Sequence, residues 1–452
     1  MPRSAFLVSI RITFLFLLGA LATAASPAQP GAFQAGAAKI DITPAEDAAL
    51  PMSGYGSRKQ GFQGIRDRLH VRAIVLHDGA RHAAIVVWEL IGVPNPVWAE
   101  LSERIAREAG IAPENLLLAG VHSHSAPSPA GMYGNTDPKS VAYLNKVKDA
   151  AVEAVRRAKA GLQPARVGAG TGKAYVNINR REHDAGRGWT LGYNPEFPSD
   201  KTVSVVRFET LAGKPIALFI NYPVHAVVMG PSNLRISGDL AGATSRFVEE
   251  FYAREQQTAP RGDAGVGLRL RPEETGSSVV AIWTSGAAGD QNPLSLASGS
   301  DFTLVDAFGK ILGEEALRVA SRVRTSPAAR IRGAQQVATC PGRRLADGPR
   351  APGEFKFEDA DPVSMRLGLL MIGDIVLAGV SGEVLTGIAR RLKNESPYSN
   401  TMMITHANGA SGYIPDNASF DQISYEITAS RLKPGCAETA IVDGFIGMMQ
   451  QE

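Results

Sequence analysis

The chain has 452 residues, of which 44% are hydrophobic and 20% charged, which excludes a wholly disordered protein and provides for one large or two medium domains. A formal net charge of only +3, with scattered basic residues, argues against nucleic-acid binding and allows at most peripheral contact with a membrane. The two cysteines, Cys340 and Cys436, do not lie in a metal-binding spacing.

Residues 1–24 have the layout of a secretory signal peptide. Arg3 and Arg11 flank an apolar run, and Ala22-Thr23-Ala24 provides a small-residue cleavage site. We therefore expect residues 25–36 to form a flexible mature N-terminus and the protein to be periplasmic or secreted; a retained anchor is the alternative. An oxidising compartment favours one disulfide between the two cysteines, and two isolated buried thiols are the alternative.

From residue 37 onward, β-like runs alternate with amphipathic helices. This rhythm predicts a single mixed α/β (α+β) domain over residues 37–452, with a central sheet flanked by helices. The predicted buried strands are residues 82–90, 115–121, 215–222, 278–284 and 375–380, and the predicted helices are residues 97–109, 141–160 and 384–393. Two polar, Gly- and Pro-bearing segments, residues 256–276 and 341–361, are predicted to be surface loops inside this domain.

His122 and His124 directly follow the predicted strand 115–121. Residues two apart in a strand point to the same face, so we expect both imidazoles side by side where the strand meets its loop. Imidazole is a preferred zinc ligand, which favours a metal site; packed or surface histidines are the alternative.

His225 and Glu383 also follow predicted apolar strands, at the sheet edge where open α/β sheets bind ligands. Each has a simpler alternative. His225 on its own is typical of a hydrogen-bonded core histidine, and Glu383 is typical of a charge at a helix start.

Short motifs occur in a distinctive order along the chain. They are GVHSHS at 120–125, NINR at 177–180, DKT at 200–202, VH at 224–225, SGD at 237–239, GDQNP at 289–293, GE at 382–383 and RRL at 390–392, after DITP at 41–44 and MSGY at 52–55. In this order they resemble the catalytic domain of the neutral/alkaline ceramidase family, from about residue 37 to the C-terminus. That resemblance implies a ceramidase-like fold, without the C-terminal β-sandwich domain that ceramidases add.

The resemblance also implies one zinc ion per chain. In that family two histidines, a glutamate and a tyrosine hold the metal, which carries these roles onto His122, His225, Glu383 and Tyr413. Tyr425 follows Tyr413 by twelve residues, which is the separation that the family uses between its zinc ligand and its substrate-facing tyrosine.

The implied activity is hydrolysis of the N-acyl amide bond of ceramide or a related N-acyl lipid by zinc-bound water, giving a fatty acid and an amine such as a sphingoid base. His124 would be the general acid and base. Arg180 and Tyr425 would donate hydrogen bonds to the oxyanion, although a surface ion pair is the alternative for Arg180.

Asn292 departs from the family pattern, because it occupies the position of a serine that is proposed as a nucleophile or substrate-binding group. Asparagine cannot accept an acyl group, but its amide can donate a hydrogen bond, so the zinc–water route survives. Two other functions stay open: a zinc hydrolase of the same fold acting on a different amide or ester, and a non-catalytic binding protein. A long apolar groove beside the zinc would favour an acyl lipid, and a short polar pocket would not.

Overall fold

The computed structural model describes residues 1, 32–58, 60–258, 279–346 and 355–451. Apart from Met1, the predicted signal peptide lies outside these residues, as does most of the predicted flexible segment 25–36. The end of that segment is ordered strand instead, because Phe33 and Ala35 are buried in the core. Within the described ranges, no helix is long and apolar enough to span a membrane.

The described part of the chain contains seven α-helices and seventeen strands. The helices are α1 Asn95–Ala109, α2 Pro138–Ala160, α3 Asp239–Thr258, α4 Thr303–Ala320, α5 Thr386–Glu395, α6 Tyr425–Ala429 and α7 Ala437–Gln450. The strands are β1 Gln34–Asp41, β2 His70–His77, β3 His82–Trp88, β4 Leu116–Gly120, β5 Gln163–Lys173, β6 Asn177–Asp184, β7 Gly188–Asn194, β8 Thr202–Thr210, β9 Pro215–Tyr222, β10 Val280–Ser285, β11 Gln291–Pro293, β12 Ile331–Leu345, β13 Phe357–Ile372, β14 Ile375–Val380, β15 Glu383–Val384, β16 Asn400–Ile404 and β17 Tyr413–Ile414.

Two sheets stack to form the centre of the molecule. The larger has eight strands in the order β10-β9-β8-β5-β1-β2-β3-β4, with parallel pairs at both ends and antiparallel pairs between them. The smaller has the order β12-β13-β14-β16. A side-chain hydrogen bond from Asn221 of β9 to the carbonyl of Met403 of β16 joins the two layers. This arrangement confirms the predicted α/β class.

Helices cover the outer faces of both sheets. Gly36 of β1 and Gly172 of β5 lie on one face of the large sheet, where an added Cβ would collide with α2 at Ala158 and with α4 at Glu315. Helices α5 and α7 pack on the outer side of the small sheet, where Ile388 and Phe445 are fully buried. The chain therefore forms a helix, sheet, sheet, helix sandwich.

Local sequence explains where the first two helices begin and end. Helix α1 ends at Gly110, whose φ of 65° terminates the helix in a left-handed turn. Helix α2 begins three residues before its predicted start, because the Asp137 side chain accepts a hydrogen bond from the Lys139 amide and a proline is tolerated in the first turn.

Residues 341–345 and 357–361 are strand and not surface loop, which corrects the prediction for this part of the segment; residues 347–354 lie outside the described residues. Strands β12 and β13 form an antiparallel pair that extends to Leu345 and Phe357, with a bulge between Cys340 and Gly342. The sequence predicts a loop here because much of this strand pair is exposed and therefore carries polar side chains. Of the other predicted loop, residues 256–258 belong to α3 and most of the rest lies outside the described residues.

The predicted disulfide is confirmed. Cys340 of β12 and Cys436, the residue before α7, are bonded to each other across a separation of 96 residues. The bond fastens the last helix to the small sheet, on the side of the sheet away from the large sheet.

Candidate metal and substrate site

His122 lies in the loop after β4, where its imidazole is oriented by the backbone. Strand β4 ends at Gly120, and His122 has a left-handed φ of 64°. The rings of His122 and His124 do lie side by side, as predicted, but strand alternation is not what places them there. The ring is brought into position by a hydrogen bond from Nδ1 to the carbonyl of Ile91 at 2.8 Å. That bond leaves Nε2 with a lone pair directed into the site.

His225 is held in the same way. Its backbone follows β9 through Pro223, and its Nδ1 donates to the carbonyls of Ala288 at 2.7 Å and Gln291 at 3.1 Å. Backbone carbonyls just before and within the GDQNP motif therefore fix the tautomer of this ring, and again Nε2 faces the site.

Glu383 and Tyr413 come from the other half of the molecule. They are direct partners in the short parallel pair of β15 and β17, which places their side chains on the same side. Glu383 is three residues upstream of α5, so the expectation that it opens this helix is wrong. Burial acts to raise the pKa of Glu383, but His122 and His225 outweigh it and hold the pKa well below its usual value.

The geometry of these side chains fits a metal ion. Glu383 Oε2 lies 3.5 Å from Nε2 of His122 and 3.3 Å from Nε2 of His225, and it is buried without a hydrogen-bond partner among the described residues. Separations of about 3.3 Å are the edges of a tetrahedron whose bonds are about 2.0–2.1 Å long, as zinc requires. These three residues are buried and could hold a metal ion.

His124 lies next to His122 but is held differently. Its Nε2 is 3.3 Å from Nε2 of His122, and its Nδ1 is buried without a hydrogen-bond partner in the described ranges. Burial, and then His122, lower its pKa well below the usual value, which keeps the ring neutral. Gly54, with φ of 87°, makes room for the ring, because a Cβ at this position would overlap it.

Arg180 is a buried hub and not a surface residue, so the alternative of a surface ion pair is wrong. Its Nε donates to Glu426 at 2.6 Å, and its Nη2 donates to the Tyr413 hydroxyl at 3.0 Å. Its Nη1 lies 3.4 Å from Nε2 of His225 and donates to Asn292 Oδ1 at 3.2 Å. Burial alone would lower the pKa of Arg180, but Tyr413 and Glu426 raise it, so the guanidinium stays charged.

Asn292 and Tyr425 contact residues of this site, and they do so from different elements. Asn292 is on β11 and accepts the bond from Arg180, while Tyr425 begins α6 and lies with its ring 5.5 Å from that of Tyr413. A cavity of about 560 Å³ opens in front of Glu383, and Tyr425 is one of its walls.

Three residues of this site were not predicted from the sequence. The fully buried Glu426 pairs with Arg180. His406 stacks on His122 with ring centroids 3.9 Å apart, and Arg431 lines the cavity. His406 follows the apolar strand β16 just as His225 follows β9, so the same signal at the end of a strand was present.

Comparison with known proteins points to one family. A model of the neutral/alkaline non-lysosomal ceramidase family, N-terminal region, matches residues 33–301. A neutral ceramidase of Pseudomonas aeruginosa is 30% identical over 296 residues, which are 60% of this chain and 42% of the relative. Neutral ceramidase B of Dictyostelium discoideum is 29% identical over 254 residues, which are 52% of this chain and 33% of the relative. The chain thus matches well under half the length of these curated relatives.

Solved structures share the fold over a longer stretch. A ceramidase complexed with C2 superimposes with a TM-score of 0.72 at 19% identity, covering 92% of this chain and 74% of the other. A neutral ceramidase from Pseudomonas aeruginosa gives a TM-score of 0.68 at 21% identity, with the same coverage. The fold is therefore that of a ceramidase catalytic domain.

Proposed function

Because the chain belongs to the neutral/alkaline non-lysosomal ceramidase family, we propose that it is a zinc-dependent hydrolase of the N-acyl amide bond of ceramide or a related N-acyl lipid. The products are a fatty acid and an amine. The observation that carries this proposal is the buried, unpartnered Glu383 Oε2 facing Nε2 of His122 and of His225.

The proposed metal ligands are His122, His225, Glu383 and Tyr413. Two imidazoles, a carboxylate and a phenol oxygen form a donor set that suits zinc. Zinc bound there would activate a water molecule and polarise the scissile carbonyl group.

The other side chains divide the remaining work. His124, neutral and adjacent to His122, takes a proton and returns it to the leaving nitrogen, which must be protonated to depart as an amine. Arg180 and Tyr425 donate to the oxyanion that develops on the carbonyl oxygen. Asn292 cannot be a covalent nucleophile; we assign it a hydrogen bond that orients Arg180.

We also propose the domain limits and the location. Residues 37–452, together with the start of β1 at Gln34, form the hydrolase domain, preceded by a signal peptide over residues 1–24 and a short flexible segment from residue 25. That signal would export the protein, which agrees with a disulfide between Cys340 and Cys436.

Zinc analysis and substrate cleavage test this proposal together. We expect about one zinc per chain after reconstitution, and amine release from N-acyl lipids that Glu383→Ala abolishes together with the metal. Ceramides, other N-acyl amines and simple esters are compared, with Asn292→Ser assayed beside the natural protein. Unchanged turnover in Asn292→Ser would exclude a nucleophilic role for the side chain at this position.

The alternatives predict different results in the same assays. A hydrolase for another bond would bind zinc and cleave only esters or unrelated amides. A binding protein would take up zinc and cleave none of them. Full-length protein that binds no metal after reconstitution would overturn the proposal.

A further inference from the structure

The cavity in front of the proposed metal site has polar as well as apolar walls. Its volume is about 560 Å³, and Met132 is its largest aliphatic side chain. No Leu, Ile, Val or Phe lines it among the residues that the structure describes. Glycines, prolines, alanines, histidines and tyrosines line it instead, so polar contacts can add to the recognition of a ligand there.

Arg431 is a cation in this wall. Its Nη2 donates to the carbonyl of Ser411 at 3.2 Å, and its Nε would be 3.9 Å from a Cβ built on Gly412. The guanidinium thus lies along the residues that immediately precede Tyr413, a proposed metal ligand. One hydrogen bond uses only one of its five N–H groups.

The backbone of Arg431 is fixed by the small sheet. Its carbonyl accepts a hydrogen bond from the Arg343 amide at 2.8 Å, and the next residue, Leu432, bridges to Gly342 at the bulge of β12. The backbone from which this side chain extends is therefore held by strand pairing.

Arg431 has no carboxylate partner within 4.0 Å in the described ranges, although it is exposed to the cavity. Glu383 is the one carboxylate among the described residues that line this cavity, and it is a proposed metal ligand. With a divalent cation bound, the wall carries a net positive charge. Such a wall favours a ligand that brings a negative charge of its own.

We propose that Arg431 binds an anionic group of the substrate, so that the preferred substrate is an N-acyl compound bearing a carboxylate or phosphate within reach of the cavity. The inference rests on the proposed function, because it names the substrate class of the same site. The planar guanidinium suits both anions, since each can accept two parallel hydrogen bonds from it.

Matched probes test this inference. N-octanoylglycine carries a carboxylate, N-octanoylphosphoethanolamine a phosphate and N-octanoylethanolamine no charge, while all three share one acyl chain. Binding is measured by calorimetry on the full-length protein with zinc removed, and kcat/KM on the zinc-loaded protein. We expect at least one anionic probe to bind about tenfold more tightly than the neutral one, and the two anions distinguish a carboxylate from a phosphate site.

Arg431→Gln should remove most of the preference for the anionic probe and leave the affinity for the neutral probe unchanged. Arg431→Lys should retain part of the preference. Arg156→Gln is the matched control, because Arg156 is an exposed arginine on α2 outside the cavity lining. Raising the ionic strength should weaken the preference in the natural protein and in Arg156→Gln, and should have little further effect on Arg431→Gln. Circular dichroism checks that each variant is folded.

Equal effects of Arg431→Gln on charged and neutral probes, or no preference for either anion in the natural protein, would overturn the inference. Failure of the proposed function would give a different result in these experiments. In that case the metal-free protein would bind an anionic probe in an Arg431-dependent way, but the zinc-loaded protein would cleave none of the three.

Discussion

The neighbouring residues His122 and His124 differ in the hydrogen bonding of their Nδ1 atoms. His122 donates from Nδ1 to a backbone carbonyl, which leaves Nε2 as a ligand atom, whereas Nδ1 of His124 is buried with no hydrogen-bond partner among the described residues. Within the described part of the chain, no hydrogen bond at Nδ1 therefore fixes the tautomer of the His124 ring. This difference supports one ring as a metal ligand and the other as an acid and base.

Gly54→Ala should impair catalysis without removing the metal. A methyl group at residue 54 would overlap the His124 ring, so the ring and residue 54 cannot both keep their present positions. We expect kcat to fall by about 10²-fold or more, in the range of a lost general base, with about one zinc per chain retained. Amine release and zinc analysis measure the two effects.

His124→Ala is the companion variant, and it should show the same division between turnover and metal content. Gly447→Ala is the control, because no atom of the described residues lies within 4 Å of a Cβ at that position. Loss of zinc in Gly54→Ala would mean that residue 54 supports the ligands themselves.

His70 makes the stability of the fold depend on pH. Burial, and then Arg72, lower the pKa of His70 to about 4 from its ordinary value near 6.5. The unfolded chain therefore takes up a proton more readily than the folded one. The stabilisation is complete above pH 6.5 and is lost as the pH falls towards 4, by up to about 3 kcal/mol.

Urea unfolding from pH 7.5 to 4.5 measures this effect. We expect the free energy of unfolding of His70→Gln to fall less steeply between pH 6.5 and 4.5 than that of the natural protein. His183→Gln, at an exposed position on β6, is the control and should follow the natural slope. Parallel curves for all three proteins would contradict the assignment.

At the scale of elements, strands β12 and β13 are attached to the C-terminal segment at several points, and two of them bear on the cavity wall. The disulfide ties Cys340 of β12 to the start of α7, and the β12 bulge pairs with Leu432. The bulge is the point at which the hairpin reaches the chain that carries Arg431. A strand pair that looks like a loop in the sequence therefore shapes one wall of the cavity.

Removing the disulfide should destabilise the protein and leave its metal site intact. Cys340→Ser combined with Cys436→Ser reopens a 96-residue loop in the unfolded chain, and we expect a loss of about 2–4 kcal/mol. Urea unfolding measures the loss, and zinc analysis should still give about one zinc per chain. Reductant should lower the stability of the natural protein and not that of the double variant. If reductant changes neither protein, the disulfide contributes nothing to stability.

At the scale of the whole molecule, the candidate metal site joins the two sheets. His122 and His225 follow strands of the large sheet, whereas Glu383 and Tyr413 follow strands of the small sheet. A metal ion bound to all four would cross-link both layers of the sandwich.

Zinc should therefore stabilise the entire fold. With free zinc at about 100 times its Kd, the expected gain is about 2.7 kcal/mol, which corresponds to a rise of a few degrees in Tm. Thermal unfolding with and without a chelator measures this rise. His225→Ala should abolish it and His124→Ala should retain it; a Tm that does not respond to zinc would contradict the site.

The sequence predicted much of this fold because apolar runs and helical periodicity are local properties. Strands 215–222 and 375–380 have their predicted limits, and helix α1 has its predicted end. The β12–β13 hairpin was missed, since an exposed strand pair carries a polar sequence that resembles a loop. The predicted start of helix α5, residue 384, is two residues too early, because the sequence does not show the non-local pairing of β15 with β17.

The sequence by itself indicated the family, through the order of its motifs, and many of the residues that meet at the site, but not Glu426, His406 or Arg431. Only the tertiary structure decided their geometry. It gave His122 a left-handed backbone, buried Arg180 against Glu426 and left Arg431 unpaired with any described carboxylate in the cavity wall. The physical reason is that ring orientation, burial and charge pairing depend on atoms far apart in the chain, which a local pattern does not encode.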